Sequence, residues 1–545
     1  MSRSDIEIPS PENRRGWYRF FEIMPGAITY LLYALPIFLS IFNPTLAAIF
    51  VIAYVLIWVF KSSAMSLRVI QGHRRIKYAA ELDWPQMLVD LKDPRRAIEQ
   101  YERPINKLQE AHRRHLQMLS DKRTLDLTPE EVIHVIIIAT YNESRAIIEP
   151  TIQAIINSSG YAKNRVALFI AYEQRGGQQK ATETMQLCRD YRKYFMHTEA
   201  VEHVDAPGEV VGKGANLSYC GWRLKEWAEM SGLDPSKVLV TTLDADNRPD
   251  KNYLAALTYT YCIAHDRKHK SYQPTAVYVN NIWDVPAIMR LSAMANTFFH
   301  TANSMRLHAL RNFSAHAQSL DALIETDFWS VRTVVEDGHQ FWRSYIQFEG
   351  NHETLPLYTP VYQDAVYAGG YWKSIVAQFK QIRRWTYGAS DIAYLATRAF
   401  RRGSRVPKKD AIAKFGRLLE NHVGWATSAP LLLIAGWIPL IVALTNNGER
   451  NFVVDQLPRL IAQINTGALV FLLVVLYIGM ATLPQRPGHR SRWYYVNFLW
   501  QWIFIPITGI VFNSYAALTS QTRLIFGKYV GVFDVTTKSV KKAKR

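Results

Sequence analysis

Between Ile23 and Phe60 the chain carries no charged residue, and Asn43-Pro44 divides that stretch near its middle. Three more charge-free runs come late: Asn421–Gly448, Leu460–Gln485 and Trp493–Thr522. A helix needs roughly 20 apolar residues to cross a bilayer. Each late run is long enough, and the first stretch holds two tight spans. Core helices of a soluble protein rarely run this far without charge, so the sequence predicts an integral membrane protein. The first stretch is too long for a signal-peptide core and shows no convincing cleavage site, so it is expected to be retained.

The net charge is +18, and basic residues gather beside the apolar runs. Arg14, Arg15 and Arg19 precede the first pair, and Lys61, Arg68, Arg74, Arg75 and Lys77 follow it. Arg486, Arg490 and Arg492 separate the last two runs. The positive-inside tendency predicts that these flanks and the polar region 61–420 face the cytoplasm of a plasma or inner membrane. Nucleic acid could also use such charge, but its position beside the membrane favours anionic headgroups, and no nucleic-acid partner is expected. Two early and three late spans would put the C-terminus outside. The tail 523–545 nevertheless holds Arg523, Lys528, Lys538, Lys541, Lys542, Lys544 and Arg545. One run is therefore expected to be re-entrant or doubled, with the Pro506 region the candidate. The scattered Cys188, Cys220 and Cys262 indicate neither a disulfide framework nor a zinc site.

Residues 1–22 read as a short polar arm, 23–60 as the two spans, and 61–130 as amphipathic helices, one broken at Pro104. At Val132 the pattern changes to alternating strands and helices. Val132–Ile138 is a buried-strand run ending in Ala139-Thr140-Tyr141-Asn142-Glu143, and Val166–Ala171 is a second, ending at Tyr172-Glu173. Gly212-Lys213-Gly214-Ala215-Asn216 precedes a helical stretch Leu217–Met230. The spacing of Gly208–Gly214 rules out a P-loop. Val238–Leu243 is a third strand, followed by Asp244-Ala245-Asp246. On an extended backbone residues two apart share a side, so the strand would deliver two carboxylates where open α/β sheets bind ligands. Such a pair suits Mg²⁺ or Mn²⁺ holding diphosphate oxygens; the alternative is an Asp-rich turn closing a strand.

Taken together, Thr140–Glu143, Gly212–Asn216, Asp244-Ala245-Asp246, Val335-Glu336-Asp337 with Arg343, and Gln381-Ile382-Arg383-Arg384-Trp385 resemble the membrane-bound family 2 glycosyltransferases, with their D-x-D, T-E-D and Q-x-x-R-W motifs. The resemblance covers 132–385 and extends loosely to Thr537-Lys538. Ala139, Glu173 and Val335 depart from the usual proline, aspartate and threonine, and His316–Trp329 lacks the glycines of the acceptor segment. That leaves the acceptor less defined than the donor chemistry.

The resemblance implies an α/β GT-A-like (Rossmann-like) cytoplasmic catalytic domain over 131–400. An interface segment and about three membrane helices over 401–522 would complete an α-helical transmembrane region. It further implies inverting transfer from a nucleotide-sugar, a UDP-sugar first among candidates. On that reading Tyr141, with Thr140 beside it, stacks on the base, and Glu143 and Glu173 accept base or ribose donors. Lys213 offers a charge to the diphosphate, or is a solvated loop lysine. Asp244 and Asp246 hold the metal. Asp337 is the base that takes the acceptor proton, with Glu336 holding it; the pair could equally stabilise a helix start. Gln381 and Arg384 reach the donor diphosphate, and Trp385 forms a floor for the acceptor sugar. The same helix could meet lipid phosphates through its arginines. Polysaccharide extension with export is the first reading, and a single transfer to a lipid acceptor the second. A transporter with a cytoplasmic domain is disfavoured, because the spans hold neither inverted repeats nor charges.

Overall fold

A computed structural model gives the fold for residues 6–122, 125–445, 451–488 and 490–531; the basic tail beyond Gly531, with Thr537-Lys538, lies outside the described residues. Its strands are β1 (Ile133–Thr140), β2 (Val166–Glu173), β3 (His197–His203), β4 (Val238–Asp244), β5 (Arg248–Pro249), β6 (Lys270–Tyr278), β7 (Ala317–Ser319) and β8 (Glu353–Gln363). They form one sheet in the order β3-β2-β1-β4-β7-β6-β8-β5. The β3-β2-β1-β4 half is parallel, whereas β7 runs antiparallel to both β4 and β6, so the sheet is mixed.

The apolar run of β1 follows from burial on both faces. Ile136 and Ile138 enter the layer formed with Ile147 and Ile152 of the helix Arg145–Ile156. Val135 and Ile137 enter the opposite layer, with Leu217 and Leu224 of the helix Lys213–Met230. Each such side chain contributes about 1.5–3 kcal/mol of burial. Strand order reverses at β1, with β2 on one side and β4 on the other, and at such a reversal the strand ends leave a crevice.

Five helical segments are long and apolar enough to cross a membrane: Gly16–Phe42, Pro44–Glu81, Lys408–Thr445, Phe452–Ala481 and Tyr494–Ile525. The first two meet at Asn43, whose side chain caps the second helix at Leu46 N, with Pro44 at the first helical position. The second helix has 38 residues, about 57 Å at 1.5 Å per residue, far more than a bilayer core of roughly 30 Å. Its Lys61–Glu81 half continues as the same rod and meets the helix Ala287–Asn303. At Gly72 a Cβ would lie 2.5 Å from Thr301 O, so only glycine lets the two backbones approach there.

The last apolar run is not a simple rod. It passes from helix through a 3₁₀ turn (Gln501–Phe504) and a short helix containing Pro506 to a π-helical stretch, Gly509–Tyr515. Its start meets the helix Ala287–Asn303, where Arg290 donates to Gln501 Oε1 (2.9 Å) and Tyr494 Oη (2.9 Å). Its end meets the first half of the first span: Thr29 donates to Gln521 (2.7 Å), and Arg19 to Leu524 O (2.6 Å). Its start thus packs on the helix Ala287–Asn303 and its end on the first span. Asn451 donates to Thr45 Oγ1 (2.8 Å) where the second and fourth of these segments start.

Candidate functional site

The strand-end crevice gathers residues that are far apart in sequence. Thr140, Tyr141, Glu143, Glu173, Lys213, Asp244, Asp246, Glu336, Asp337, Gln381, Arg384 and Trp385 all line one cleft, open at its mouth. Arg343 does not reach it. That guanidinium is buried behind the helix Glu336–Gln347, where it donates to Thr326 O (2.9 Å) and pairs with Glu7 (3.2 Å).

The carboxylate pair is arranged differently from the strand-end expectation. Only Asp244 belongs to β4; Ala245 and Asp246 form a turn, closed by Asn247 N–H donating to Asp244 O (3.0 Å). The turn, not a shared strand face, brings both acids to the cleft. Asp244 Oδ2 accepts from Ser314 Oγ (2.7 Å), and buried Asp246 Oδ2 accepts from Asp364 N (3.1 Å).

Lys213 is neither a loop residue nor solvated. The helix begins at Lys213, not Leu217, and Nζ lies 2.7 Å from Asp244 Oδ1 and 3.3 Å from Glu336 Oε1. Gly214 makes this possible, because a Cβ there would lie 2.6 Å from Ser330 O and 3.2 Å from Glu336 Cβ. Burial works against the charge on Lys213, but Asp244, Glu336 and Asp337 outweigh it and raise its pKa. Burial pushes the Glu336 carboxyl up; Lys213 opposes that shift and Asp337 reinforces it. Asp337, half-buried, starts the helix Glu336–Gln347 with Oδ1 accepting from Gly338 N (2.7 Å).

Glu143 folds back on its own turn, accepting from Thr140 Oγ1 (2.8 Å) and Tyr141 N (2.9 Å). Through that one carboxylate oxygen, Oε2, it shapes the Thr140–Glu143 corner while lining the cleft. One face of the Tyr141 ring is covered by Arg175, 4.0 Å from its centroid, and Arg175 also pairs with Glu173. Stacking of a base is left to the other face. The helix Tyr371–Thr386 presents Gln381, Arg384 and Trp385, and Arg384 Nη1 donates to Val334 O (3.2 Å) beside Asp337. On its outer side Trp372 is 75% exposed, as suits a helix lying at an apolar surface.

Sequence reading missed Arg175, Ser314, Asp364, Gln363 and Tyr278, of which all but Arg175 line the cleft. None belongs to a local motif; only the ends of β6 and β8 and the loop before β7 bring them in. The stretch lacking glycines adopts left-handed backbone without them: Ala315, Asp327 and Phe328 have φ of +70°, +53° and +56°. Such values are strained for a bulky residue such as Phe328. His316 between them is pulled down to about 4 by burial, and its ring accepts from Trp329 Nε1 (3.3 Å) while Nδ1 donates to Phe313 O (2.9 Å).

Seven carboxylates (Glu143, Glu173, Asp244, Asp246, Glu336, Asp337, Asp364) and two cations (Lys213, Arg384) line the cleft. Any anionic ligand entering so negative a site would call for added positive charge. The donors are oxygens, as Mg²⁺ or Mn²⁺ requires, and such ions commonly take one or two carboxylates and complete their shell with phosphate and water. Among the described residues no group of three or more metal-binding side chains is assembled. The residues present fit a cation held by Asp244 and Asp246 together with its ligand.

No family model matches the sequence, and no curated protein matches it. Among solved structures, the mannosyltransferase PcManGT from Pyrobaculum calidifontis, in complex with GDP-Man and Mn²⁺, is similar at 14% identity and a TM-score of 0.37, over 73% of this chain and 99% of that one. TarS 1–349 of S. aureus is similar at 10% identity and 0.34, over 73% and 93%. GalNAc-T7 with UDP, GalNAc and Mn²⁺ is similar at 11% and 0.28, over 55% and 57%. At TM-scores this low the likenesses carry no argument about this chain.

Proposed function

We propose that the chain is an integral-membrane inverting glycosyltransferase of the family 2 type, moving a sugar from a nucleotide-sugar, a UDP-sugar first among candidates, to a growing polysaccharide. The observation that carries this reading is the convergence of Asp244, Asp246, Lys213, Asp337 and Arg384 in one cleft at the strand-order reversal, beside a helix whose last turn carries Trp385.

On this reading the nucleotide lies over the Thr140–Glu143 corner, with its base on the open face of Tyr141 and Glu173 at its edge. Lys213 and Arg384 meet the diphosphate. Mg²⁺ or Mn²⁺ held by Asp244 and Asp246 would supply Lewis-acid neutralisation of the departing nucleoside diphosphate. The acceptor hydroxyl oxygen attacks the anomeric carbon, the bond from that carbon to the phosphate oxygen breaks, and Asp337 takes the hydroxyl proton. Glu336 acts through Lys213, holding that ammonium between the helix start and Asp244. Trp385 is the platform on which the acceptor sugar lies. The catalytic domain faces the cytoplasm, as the basic flanks argue. A last run that returns to the catalytic side would put the tail there too.

The test is a screen of nucleotide-sugars for nucleoside diphosphate release by the purified protein with Mg²⁺ or Mn²⁺, followed by the length of the labelled product. Long chains support polysaccharide extension, single additions point to a lipid acceptor, and no release from any donor refutes the transferase reading.

A further inference from the structure

The segment between the helix Ala287–Asn303 and Ser314 carries Arg306, His308 and Arg311, and it crosses the helix Lys408–Ile434 where that helix turns from polar to apolar. Arg417 Nη1 donates to His308 O (2.9 Å) and pins the segment there. Between the two lies a pocket lined by His308, Arg311, Trp342, Lys414, Arg417 and Asn421. Lys414, Arg417 and Asn421 share one helix face and span about 10 Å along its axis.

Its level relative to the apolar layer is given by the neighbouring side chains. Lys61 and Glu420, the charged residues bordering their apolar runs, pair with each other, and Lys61 sits 4.8 Å from the centroid of the Trp58 ring. Tryptophan and lysine in this arrangement mark the headgroup region. The pocket opens about one turn to the polar side of that pair, and Leu307, between the two basic residues, is 55% exposed.

Three cations line it, Arg311, Lys414 and Arg417. Two more lie near: His308 has its pKa lowered by burial and then by Arg417, Arg306, Arg68 and Lys414. Of the nearby carboxylates, one is on the pocket's own Lys414 and the other two are paired outside it. Asp410 pairs with Lys414 (2.7 Å) and accepts from Tyr345 (2.6 Å), Glu420 pairs with Lys61, and Asp391 pairs with His339 (2.7 Å). Among the described residues Arg68, Arg306 and Arg311 make no ion pair; Arg311 lies 5.7 Å from the Trp342 ring centroid. Glu420 acts on Arg306, and Asp391 and Asp337 on Arg311, only from beyond ion-pair distance; an anion from outside the chain would stabilise guanidiniums held this way.

We propose that this pocket binds the phosphate of an anionic membrane lipid, with the acyl chains in the apolar layer beside the helix Lys408–Ile434. A phosphate there would fasten the segment whose next polar residue after Arg311 and Asn312 is Ser314, the donor to Asp244. The inference rests on the membrane reading of the chain and not on sugar transfer.

The full chain in neutral phosphatidylcholine nanodiscs is titrated with phosphatidylglycerol, and retained lipid is counted by native mass spectrometry. At about fivefold in affinity per basic residue near an anionic surface, Arg306→Gln with Arg311→Gln should weaken retention roughly thirtyfold. The control Arg401→Gln with Arg402→Gln should leave it near wild type. Equal retention in the first variant, or an equal loss in the control, overturns the proposal. Inorganic phosphate at millimolar concentration should not displace the lipid; displacement would make this a site for free phosphate. A photoreactive anionic lipid on the unmutated protein should label peptides containing 306–311 and 414–421, and labelling confined to other peptides overturns the assignment even if the variant misfolds. No readout uses turnover, so failure of the transferase reading leaves the result intact.

Discussion

Replacing Lys213 with glutamine removes the cation between Asp244 and Glu336, at 2.7 and 3.3 Å from their oxygens. Glu336 is 1% exposed, so the variant must either keep an unpaired buried carboxylate or fold with it protonated. The first choice costs about 3–5 kcal/mol. The second can be worked out from the ordinary glutamate value of 4.5. At pH 7, binding that proton costs about 3.4 kcal/mol, from roughly 1.36 kcal/mol per pH unit, and at pH 5.5 about 1.4 kcal/mol. Because burial raises the folded pKa above the unfolded one, the penalty is absent below about 4.5, grows with rising pH and levels off above the folded value. Hydrogen exchange of peptides spanning 213–230 and 336–347 reads the effect as a ratio to wild type at each pH. Burial already raises Glu336 in the wild type, so the ratio is smaller than these costs alone: the variant should lose up to roughly a hundredfold in protection at pH 7 and less than about tenfold at pH 5.5. Adding Glu336→Gln should restore most of it. A loss that is the same at both pH values, or one that Glu336→Gln does not relieve, would refute the assignment of Lys213 as the counter-charge of Glu336.

Asp337→Asn can still accept from Gly338 N through its side-chain oxygen, so turnover should fall about 10²–10⁴-fold with a near-unchanged nucleotide dissociation constant. Transfer at close to the wild-type rate would leave Asp337 as a helix-start acid and turn attention to Glu336. Asp246→Asn should do the reverse, abolishing the metal dependence of nucleotide binding measured by calorimetry; undiminished turnover in excess chelator would defeat the metal assignment. Glu7→Ala leaves the fully buried Arg343 without its carboxylate, and limited proteolysis should cut the segment 326–335 about a hundredfold faster, from a loss of roughly 3 kcal/mol. Arg343, acting against burial, holds the Glu7 carboxyl below its ordinary value. The wild-type protection should therefore be present above the ordinary glutamate range and decline as pH falls through the lowered value.

The sequence by itself determined the long apolar helices, the break at Asn43-Pro44, the alternation of strand and helix from Val132, and those cleft residues that belong to local motifs. These are properties of local composition and period, because a helix that faces lipid and a strand buried on both faces each impose a pattern on neighbouring residues. What only the tertiary structure decided are polar contacts between segments that share no local pattern. Glu7 meets Arg343 across 336 positions, and Thr29 meets Gln521 across 492. Asp246 sits on a turn held by Asp364, and Lys213 begins a helix whose start is pressed against Ser330 through Gly214. The course of the last apolar run belongs to the same class. Hydropathy measures how apolar a run is, whereas the contacts of Arg290 at its start and Arg19 at its end set its course. Hydrogen bonds and ion pairs depend on which atoms the fold brings within about 3 Å. That proximity leaves no periodic trace in the chain.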